Sequence, residues 1–210
     1  MATSAAQRKE FKVGTVGWTA DDLDDPAVRA LWDAGRYEII DGALVETMAA
    51  AYFAHGNVPT NLMFIVRDHL EARRMAGRWS WDVDLVLSPD RVARADLVWM
   101  SAGDRDRDGA EARRRGRPDP RKSPVYVPPT LVIESVSPDH AAHDRRTERR
   151  WYAEFGVPNY WALDAYDRSL ACLALEGGAY RETASGREAE TIHPPAFPGL
   201  AVPLRQVWDE

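Results

Sequence analysis

The fold of this chain is decided by the stretch Leu131-Val132-Ile133-Glu134-Ser135-Val136. Its apolar run is typical of a central strand that is buried on both faces of a sheet. One carboxylate interrupts the run, and burying Glu134 without a cation or a strong set of hydrogen bonds costs several kcal/mol. The stretch therefore predicts a buried sheet and a group that compensates a charge within it.

A second predicted strand carries an acid in a similar setting. Asp96 lies near the start of Ala95-Asp96-Leu97-Val98-Trp99-Met100. Two such acids on neighbouring strands suit Mg²⁺ or Mn²⁺, hard ions that prefer oxygen ligands. Taken alone, each acid fits an ion pair with an arginine equally well, because only Lys9, Lys12 and Lys122 among the 27 basic residues are lysines.

Helical and strand patterns alternate along the rest of the chain and predict an α/β fold. Asp41-Gly42 between two β-prone runs is a strong hairpin signal. Asp82 and Asp84 share the polar face of another strand, where solvation at an edge is expected; support of the acidic site is the alternative role for Asp84. The further predicted elements are a short helix capped by Thr19, helices over 26–33, 55–75 and 137–156, and strands over 81–87, 160–164 and 169–175.

Length and composition predict one domain. A chain of 210 residues supports one substantial core. Residues 1–17 are polar and predicted to be a flexible segment, and residues 18–210 are predicted to form a single domain. Within it, residues 101–124 are rich in Arg, Asp, Gly and Pro without periodicity, which predicts a long exposed loop, either a solvated insertion or a flap that touches substrate.

Charge and cysteine content exclude several classes of protein. The single cysteine, Cys172, excludes an internal disulfide framework and a cysteine-rich zinc site. No apolar run approaches the roughly 20 residues that cross a bilayer, and the N-terminus lacks a secretory pattern, so a cytoplasmic location is expected. The net charge of −6 repels nucleic acid overall, although a bound metal ion neutralises an acidic site locally.

The order of the motifs resembles the Uma2 family of restriction-endonuclease-like proteins, in the PD-(D/E)XK nuclease superfamily. The resemblance covers residues 19–207 and implies a restriction-endonuclease-like core, a mixed β-sheet flanked by helices with a metal bound by carboxylates at strand ends. It rests on Tyr37-Glu38-Ile39-Ile40-Asp41-Gly42, His55, Ala95-Asp96-Leu97-Val98, residues 131–138, Asp144, Tyr152, Gly156-Val157-Pro158-Asn159-Tyr160-Trp161 and Phe197-Pro198-Gly199-Leu200.

The resemblance also implies roles for individual residues. Asp96 matches the strand aspartate of the superfamily, Glu134 its following acid and Glu38 the upstream glutamate of the family. These three would bind Mg²⁺ (or Mn²⁺), which polarises a phosphodiester and lowers the pKa of the attacking water. His55 either lines the cleft or helps to cap its helix.

The chain departs from the family pattern at two positions. Ala95 replaces a proline that has no chemical role. Glu148 replaces the lysine expected four residues before Tyr152, and a carboxylate there would oppose what the lysine does for the water and the transition-state charge. Arg145 or Arg149 could stabilise that charge instead, but neither guanidinium acts as a general base at neutral pH; Arg145 shares the helix face of Glu148.

Three functions remain open from the sequence. The first is a metal-dependent endonuclease that hydrolyses DNA phosphodiester bonds, without membrane association and compatible with a homodimer, since cutting both strands favours two-fold symmetry. The second is a catalytically impaired nuclease fold that acts as a nucleic-acid-binding or interaction module, which Glu148 favours. The third is a small-molecule metal hydrolase.

Overall fold

The structure is a computed structural model that describes residues 9–47, 53–117, 124–136 and 142–208, with the backbone alone at 53–56 and 142–146. A 3-10 turn over Ala20–Asp24 opens the described elements. The helices are α1 Pro26–Asp33, α2 Phe53–Ala72, α3 Ala102–Arg114, α4 Ala142–Phe155 and α5 Leu204–Trp208. The strands are β1 Tyr37–Ile40, β2 Ala43–Glu46, β3 Gly77–Ser88, β4 Arg91–Ser101, β5 Leu131–Ser135, β6 Asn159–Asp164, β7 Ser169–Glu176, β8 Ala179–Arg187, β9 Thr191–Ile192 and β10 Val202–Pro203.

The predicted hairpin at Asp41-Gly42 is confirmed. β1 and β2 pair antiparallel from Tyr37–Glu46 to Ile40–Ala43, which leaves a two-residue turn. Both turn residues have positive φ, 49° at Asp41 and 77° at Gly42, as the hairpin turn that matches strand twist requires. This turn fixes the register that places Glu38 on one face and its neighbours on the other.

Eight of the described strands form one mixed sheet flanked by helices, as predicted. Its order is β2-β1-β4-β5-β6-β7-β8, with β3 paired to β4 beside this path. The β5–β6 pair is parallel, and α4 connects these two strands, while the other pairs are antiparallel. β5, the strand with the decisive stretch, thus lies in the middle of the sheet between β4 and β6.

Apolar side chains cover both faces of the sheet. On one face, α2 and the C-terminal segment bury residues such as Leu62, Phe197 and Val207 against Leu97 and Trp161. On the other face, α4 and the segment after it pack Tyr152 and Val157 over β3 to β7. A third cluster joins α1 and the β1–β2 hairpin through Trp18 and Trp32. Burial of this area from water is the main driving force for the fold.

The prediction of one long loop over 101–124 is wrong for its first half, where α3 forms. The Ser101 hydroxyl caps this helix by accepting from the Asp104 N–H, and the Asp104 carboxylate accepts from the Ser101 N–H. The buried residues of α3 are Asp104, Asp108, Gly109 and Ala112. Because small and acidic residues form its inner face, the helix carries no apolar periodicity for a sequence pattern to detect.

Residues 9–17, part of the segment predicted to be flexible, contact the β1–β2 hairpin. The Gly14 N–H donates to the Leu44 carbonyl at 2.8 Å, and Leu44 returns a bond to Thr15 at 2.9 Å. Phe11 packs edge-on against Trp18 and Tyr37. This part of the segment therefore lies against the hairpin, while residues 1–8, 118–123 and Ser137–Pro138 of the predicted segments lie outside the described residues.

β8 was not predicted from the sequence. It pairs with β7 through a turn at Gly177 and Gly178, whose φ angles are 59° and 84°. β8 is polar and largely exposed, as suits an edge strand. No helix among the described residues is long and apolar enough to cross a membrane.

Candidate functional site

Asp96 and Glu134 meet where β4 and β5 separate. The ladder between these strands ends at the Leu97–Ile133 pair, so the two acids oppose each other one position beyond it. The Asp96 N–H donates to Glu134 Oε2 at 3.3 Å, and the Ser135 N–H donates to Asp96 Oδ2 at 2.8 Å. The carboxylates therefore accept the amide bonds that strand carbonyls would otherwise take, and they lie next to each other.

Glu38 approaches the same point from β1. Its side chain is only 8% exposed, and its Oε1 accepts the Arg94 N–H of β4 at 3.1 Å. Burial raises the pKa of Glu38, and the charge of Asp96 adds to the effect, although the Arg94 N–H and the Arg36 charge oppose it. All three acids proposed from the sequence are thus brought together around the start of the apolar half of β4.

Glu134 is the acid whose environment most strongly opposes its charge. Burial raises the pKa of Glu134 well above its usual range, and the carboxylates of Asp96 and Glu148 raise it further. The Tyr152 hydroxyl donates to Glu134 Oε1 at 2.6 Å. Burial and the neighbouring Glu134 raise the pKa of Tyr152 as well, so this hydroxyl keeps its proton at neutral pH.

Among the described side chains, Arg36 is the cation that binds Asp96. Its Nη2 donates to Asp96 Oδ1, and its Nη1 donates to Asp82 Oδ1 at 2.6 Å. Nη2 also lies 3.3 Å from the Arg94 carbonyl oxygen, to which it donates. Burial lowers the pKa of Arg36, but the charges of Asp96 and Asp82 outweigh burial and raise the pKa overall. Its guanidinium therefore stays charged and ties β1 to both β3 and β4.

Strands β3 and β4 are irregular at the site, and the side chains of β4 switch from one face of the sheet to the other. Asp82 lies opposite Asp96, between two regular antiparallel pairs, and has a φ of +48°. Ala95 packs on the α4 face of the sheet and Leu97 on the α2 face, although a regular strand would place both on one face. A left-handed aspartate is an uncommon and strained conformation. The irregularity therefore lets Ala95 and Leu97, on either side of Asp96, pack into two different core clusters.

Asp84 is buried, which corrects the prediction that it is solvated at a sheet edge. It is 5% exposed and accepts from Trp32 Nε1 at 3.1 Å. Arg94 Nε donates to it at 2.8 Å, and Arg29 Nη1 lies 3.0 Å away in an ion pair. Because Asp84 fixes the Arg94 side chain, it supports the residue whose N–H holds Glu38.

α4 brings Glu148 to the position where a lysine was expected. The Glu148 charge contributes to raising the pKa of Glu134, of Tyr152 and of Tyr160, after burial in each case, so its carboxylate lies on the side of α4 that faces the site. Arg149 instead lies over the Tyr160 ring, with its guanidinium carbon 5.6 Å from the ring centroid. The expected lysine is thus replaced by a further acid.

The donor set suits a hard divalent cation. Within the described ranges, neither Glu38 nor Glu134 has an ion pair, and both have a raised pKa. Carboxylate oxygens in this setting are the ligands that Mg²⁺ and Mn²⁺ prefer. As the side chains stand, with Arg36 bound to Asp96, no three histidine, cysteine or acidic groups of the described residues are arranged to hold one ion. A cation at Asp96 would therefore compete with Arg36.

Comparison with known proteins identifies the family. A family model described as "Uma2: Putative restriction endonuclease" matches residues 29–205, most of the chain. This chain belongs to the Uma2 family. In fold it is similar to the crystal structure of a putative nuclease belonging to DUF820 from Anabaena variabilis ATCC 29413, with a TM-score of 0.65 and 14% sequence identity over 91% of this chain and 98% of the other. No curated protein gives a significant match.

The Uma2 assignment confirms the predicted family and a nuclease-like fold. The structure brings Glu38, Asp96 and Glu134 together. The backbone of Arg145 lies in α4 and that of His55 in α2, while their side chains and Lys122 lie outside what the structure describes. The aromatic residues Tyr152, Tyr160 and Trp161, which follow Glu134 in the chain, are core residues and at most 2% exposed.

Sequence reasoning missed Arg36. A signal for it exists, because Arg36 precedes Glu38 by two residues and residues i and i+2 of an extended segment point to the same side. The family pattern places the cation on the helix after β5, where the lysine is expected, and not at the entrance to β1. The partner of Asp96 comes from 60 residues upstream.

Proposed function

We propose that this Uma2 protein is a metal-dependent endonuclease that hydrolyses DNA phosphodiester bonds, with Glu38, Asp96 and Glu134 as the metal-binding carboxylates. The observation that carries the proposal is the meeting of Asp96 and Glu134 where β4 and β5 separate. The family description and the nuclease-like fold support the same reaction class. Mg²⁺ is the expected ion, with Mn²⁺ as the alternative.

The residues of the site have distinct tasks in this reaction. A bound divalent cation would supply Lewis acidity for the scissile phosphate and lower the pKa of a bound water. The Asp96 and Ser135 N–H groups hold the Glu134 and Asp96 carboxylates in place. The Tyr152 hydroxyl binds the second oxygen of Glu134 and keeps it directed at the site.

Arg36 supplies the positive charge that the missing lysine would have supplied. Asp82 holds its guanidinium beside Asp96, from where it can stabilise negative charge on the transferring phosphoryl group. A guanidinium does not act as a general base at neutral pH. Arg145, on the helix that carries Glu148, is proposed as a second source of stabilisation.

The alternative is a nuclease fold that has lost catalysis and binds nucleic acid or a protein partner. The position of Glu148 favours it, because its carboxylate repels both Glu134 and the negative charge that develops on a phosphoryl group. A homodimer and a cytoplasmic location remain part of the proposal for the active enzyme, and the mass in solution tests the first of these.

Cleavage of supercoiled plasmid with Mg²⁺ or Mn²⁺ tests the proposal. Wild type is expected to nick the plasmid, whereas Asp96→Ala and Glu134→Ala reduce the rate by at least about 100-fold. Glu176→Ala, which removes an exposed acid at the far end of β7, serves as the matched control and retains the rate. Arg36→Met and Arg145→Met are expected to cut about 10- to 100-fold more slowly with metal binding retained.

Absence of plasmid cleavage by the wild type under these conditions contradicts the proposal of an active enzyme. Glu148→Lys then separates a nuclease site disabled by one residue from a binding module, because only the former would recover cutting. Absence of cleavage by Glu148→Lys as well would support the binding module. Cutting that survives Asp96→Ala and Glu134→Ala would assign the activity to a contaminant or to other residues.

A further inference from the structure

A polar cleft of about 370 Å³ opens beside Asp82, and Asp96 is not among its lining residues. It is lined by residues of β3 and α3 and by Val98 and Met100 of β4. The volume lies within the roughly 300–1,000 Å³ of small-ligand sites. Asp82 belongs to both regions, because it lines the cleft and binds Arg36, which binds Asp96.

We propose that this cleft binds one unpaired nucleotide of a single-stranded nucleic acid, next to the phosphate that the Asp96 site acts on. The inference rests on the proposed function for the position of the reacting phosphate. It adds a substrate preference, because the base in the cleft must be free of a pairing partner. Single-stranded segments, ends and flaps are therefore the substrates that this protein binds best.

Trp81 supplies the surface for a base. It is 42% exposed, although a tryptophan of a strand normally buries its ring, and it lines the cleft. The adjacent Asp82 has a left-handed backbone, which turns the strand at this point. Exposed aromatic rings in a basic groove bind bases by stacking, and a base inside a duplex cannot stack in this way.

Two arginines supply charge for phosphates. Arg78 of β3 and Arg105 of α3 line the cleft, and neither has an ion pair in the part of the chain that the structure describes. Most other arginines near the site are bound to carboxylates, as Arg36, Arg94 and Arg29 show. Arg78 and Arg105 therefore remain available for an anion.

The acids of the lining do not cancel these charges. Asp84 is bound to Arg29 and Arg94, and Asp82 to Arg36. Asp108 is buried, and its carboxylate accepts the Tyr126 N–H. Asp106 is the remaining acid and lies exposed at the rim, so removing its charge should strengthen the binding of an anion.

Fluorescence anisotropy with a labelled 12-nucleotide oligothymidylate and a 20-base-pair duplex, in EDTA and low salt, tests the inference without any cleavage. Wild type is expected to bind the single strand at least about fivefold more tightly than the duplex. Trp81→Ala should weaken binding of the single strand about tenfold or more. Asp106→Asn should tighten it, by about twofold to threefold.

The salt dependence gives a second readout for the arginines. Arg78→Ala and Arg105→Ala should each lower the slope of log K against log salt concentration by about 0.7, the value for one contact with a single-stranded phosphate. Arg205→Ala and Tyr166→Ala, which change exposed residues away from the cleft, are matched controls and leave affinity and slope unchanged. Circular dichroism confirms that each variant is folded.

The outcomes separate this inference from the proposed function. If Trp81→Ala and both arginine variants bind the single strand as wild type does, the cleft is not a nucleotide site, even if the enzyme cuts plasmid. Preference for the duplex would overturn the inference as well. Tight binding that depends on Trp81, with no cutting in the plasmid assay, would keep the cleft and discard the nuclease.

Discussion

The charge of Glu134 is unfavourable where this residue lies in the folded protein. Burial, Asp96 and Glu148 all raise its pKa, yet the Tyr152 hydroxyl and the Asp96 N–H hold its carboxylate in place. Replacing such a charged group by a neutral one of the same shape commonly stabilises a protein and removes its function. The cost is therefore evidence that this carboxylate serves a purpose other than stability.

Glu134→Gln should raise the free energy of unfolding of the metal-free protein by about 1 kcal/mol at pH 8. A carboxyl with a raised pKa in the folded state stabilises the fold below the ordinary glutamate pKa, and this contribution is lost as pH rises toward the folded value. The advantage of the variant should thus grow from pH 5 to pH 8. Urea unfolding in EDTA at both values measures it.

The control for this prediction is Glu176→Gln, which changes an exposed acid and should leave stability unchanged at both pH values. Mn²⁺ should raise the melting temperature of wild type and of Glu176→Gln, but not that of Glu134→Gln, because ligands that bind only the folded state stabilise it. A variant that loses stability at pH 8 would show that Glu134 is a structural acid.

At the scale of elements, α3 shows how polar residues form a buried helix face. Asp104 and Asp108 are each 6% exposed. Asp104 accepts from the Ser101 N–H and from the Thr130 hydroxyl, and Asp108 accepts the Tyr126 N–H at 2.7 Å. These bonds attach the segment after the helix to its inner face, which closes one wall of the cleft.

Asp108→Ala should lower the free energy of unfolding by about 1–2 kcal/mol, because it leaves the buried Tyr126 N–H without an acceptor. Asp106→Ala, two residues earlier on the exposed side of the same helix, should change it by less than about 0.5 kcal/mol. Urea unfolding at pH 5 compares the two variants. Burial raises the pKa of Asp108, so its ionisation destabilises the fold less at low pH. Equal effects would show that Asp108 does not anchor the segment.

The strands differ in how much of them the sequence could predict. β5 and β6 carry continuous apolar runs and were predicted to within two residues, since a buried strand needs such a run. β8 was missed because an edge strand pairs on one side alone and tolerates polar residues on both faces. Gly177-Gly178 was the available signal, as two residues with positive φ favour a tight hairpin turn.

At the scale of the whole molecule, the net charge of −6 opposes the substrate that the family implies. Four acids, Glu38, Asp96, Glu134 and Glu148, contribute negative charge at the site itself. A bound divalent cation offsets part of this charge where the phosphate must approach. Binding of a duplex should therefore depend on the cation as well as on the arginines of the surface.

A 20-base-pair duplex should bind at least about tenfold more tightly with Ca²⁺ than with EDTA at one ionic strength. The reason is local neutralisation, so the double variant Asp96→Asn with Glu134→Gln should bind equally in both conditions. Fluorescence anisotropy at matched ionic strength measures the ratio. Equal affinity of wild type with Ca²⁺ and with EDTA would mean that nucleic acid avoids the acidic site.

The sequence by itself determined the local structure and the acids of this Uma2 protein. The Asp41-Gly42 turn, the apolar runs of β4 and β5 and the spacing of α1 each act over a few residues, so local patterns predict them. The motif order also pointed to Glu38, Asp96 and Glu134.

Only the tertiary structure decided that Arg36 is the partner of Asp96, that Asp84 is buried and that Trp81 faces a cleft. Those facts depend on strand order, on register and on the face change at Asp82, and contacts between residues far apart in the chain leave no periodicity in the sequence.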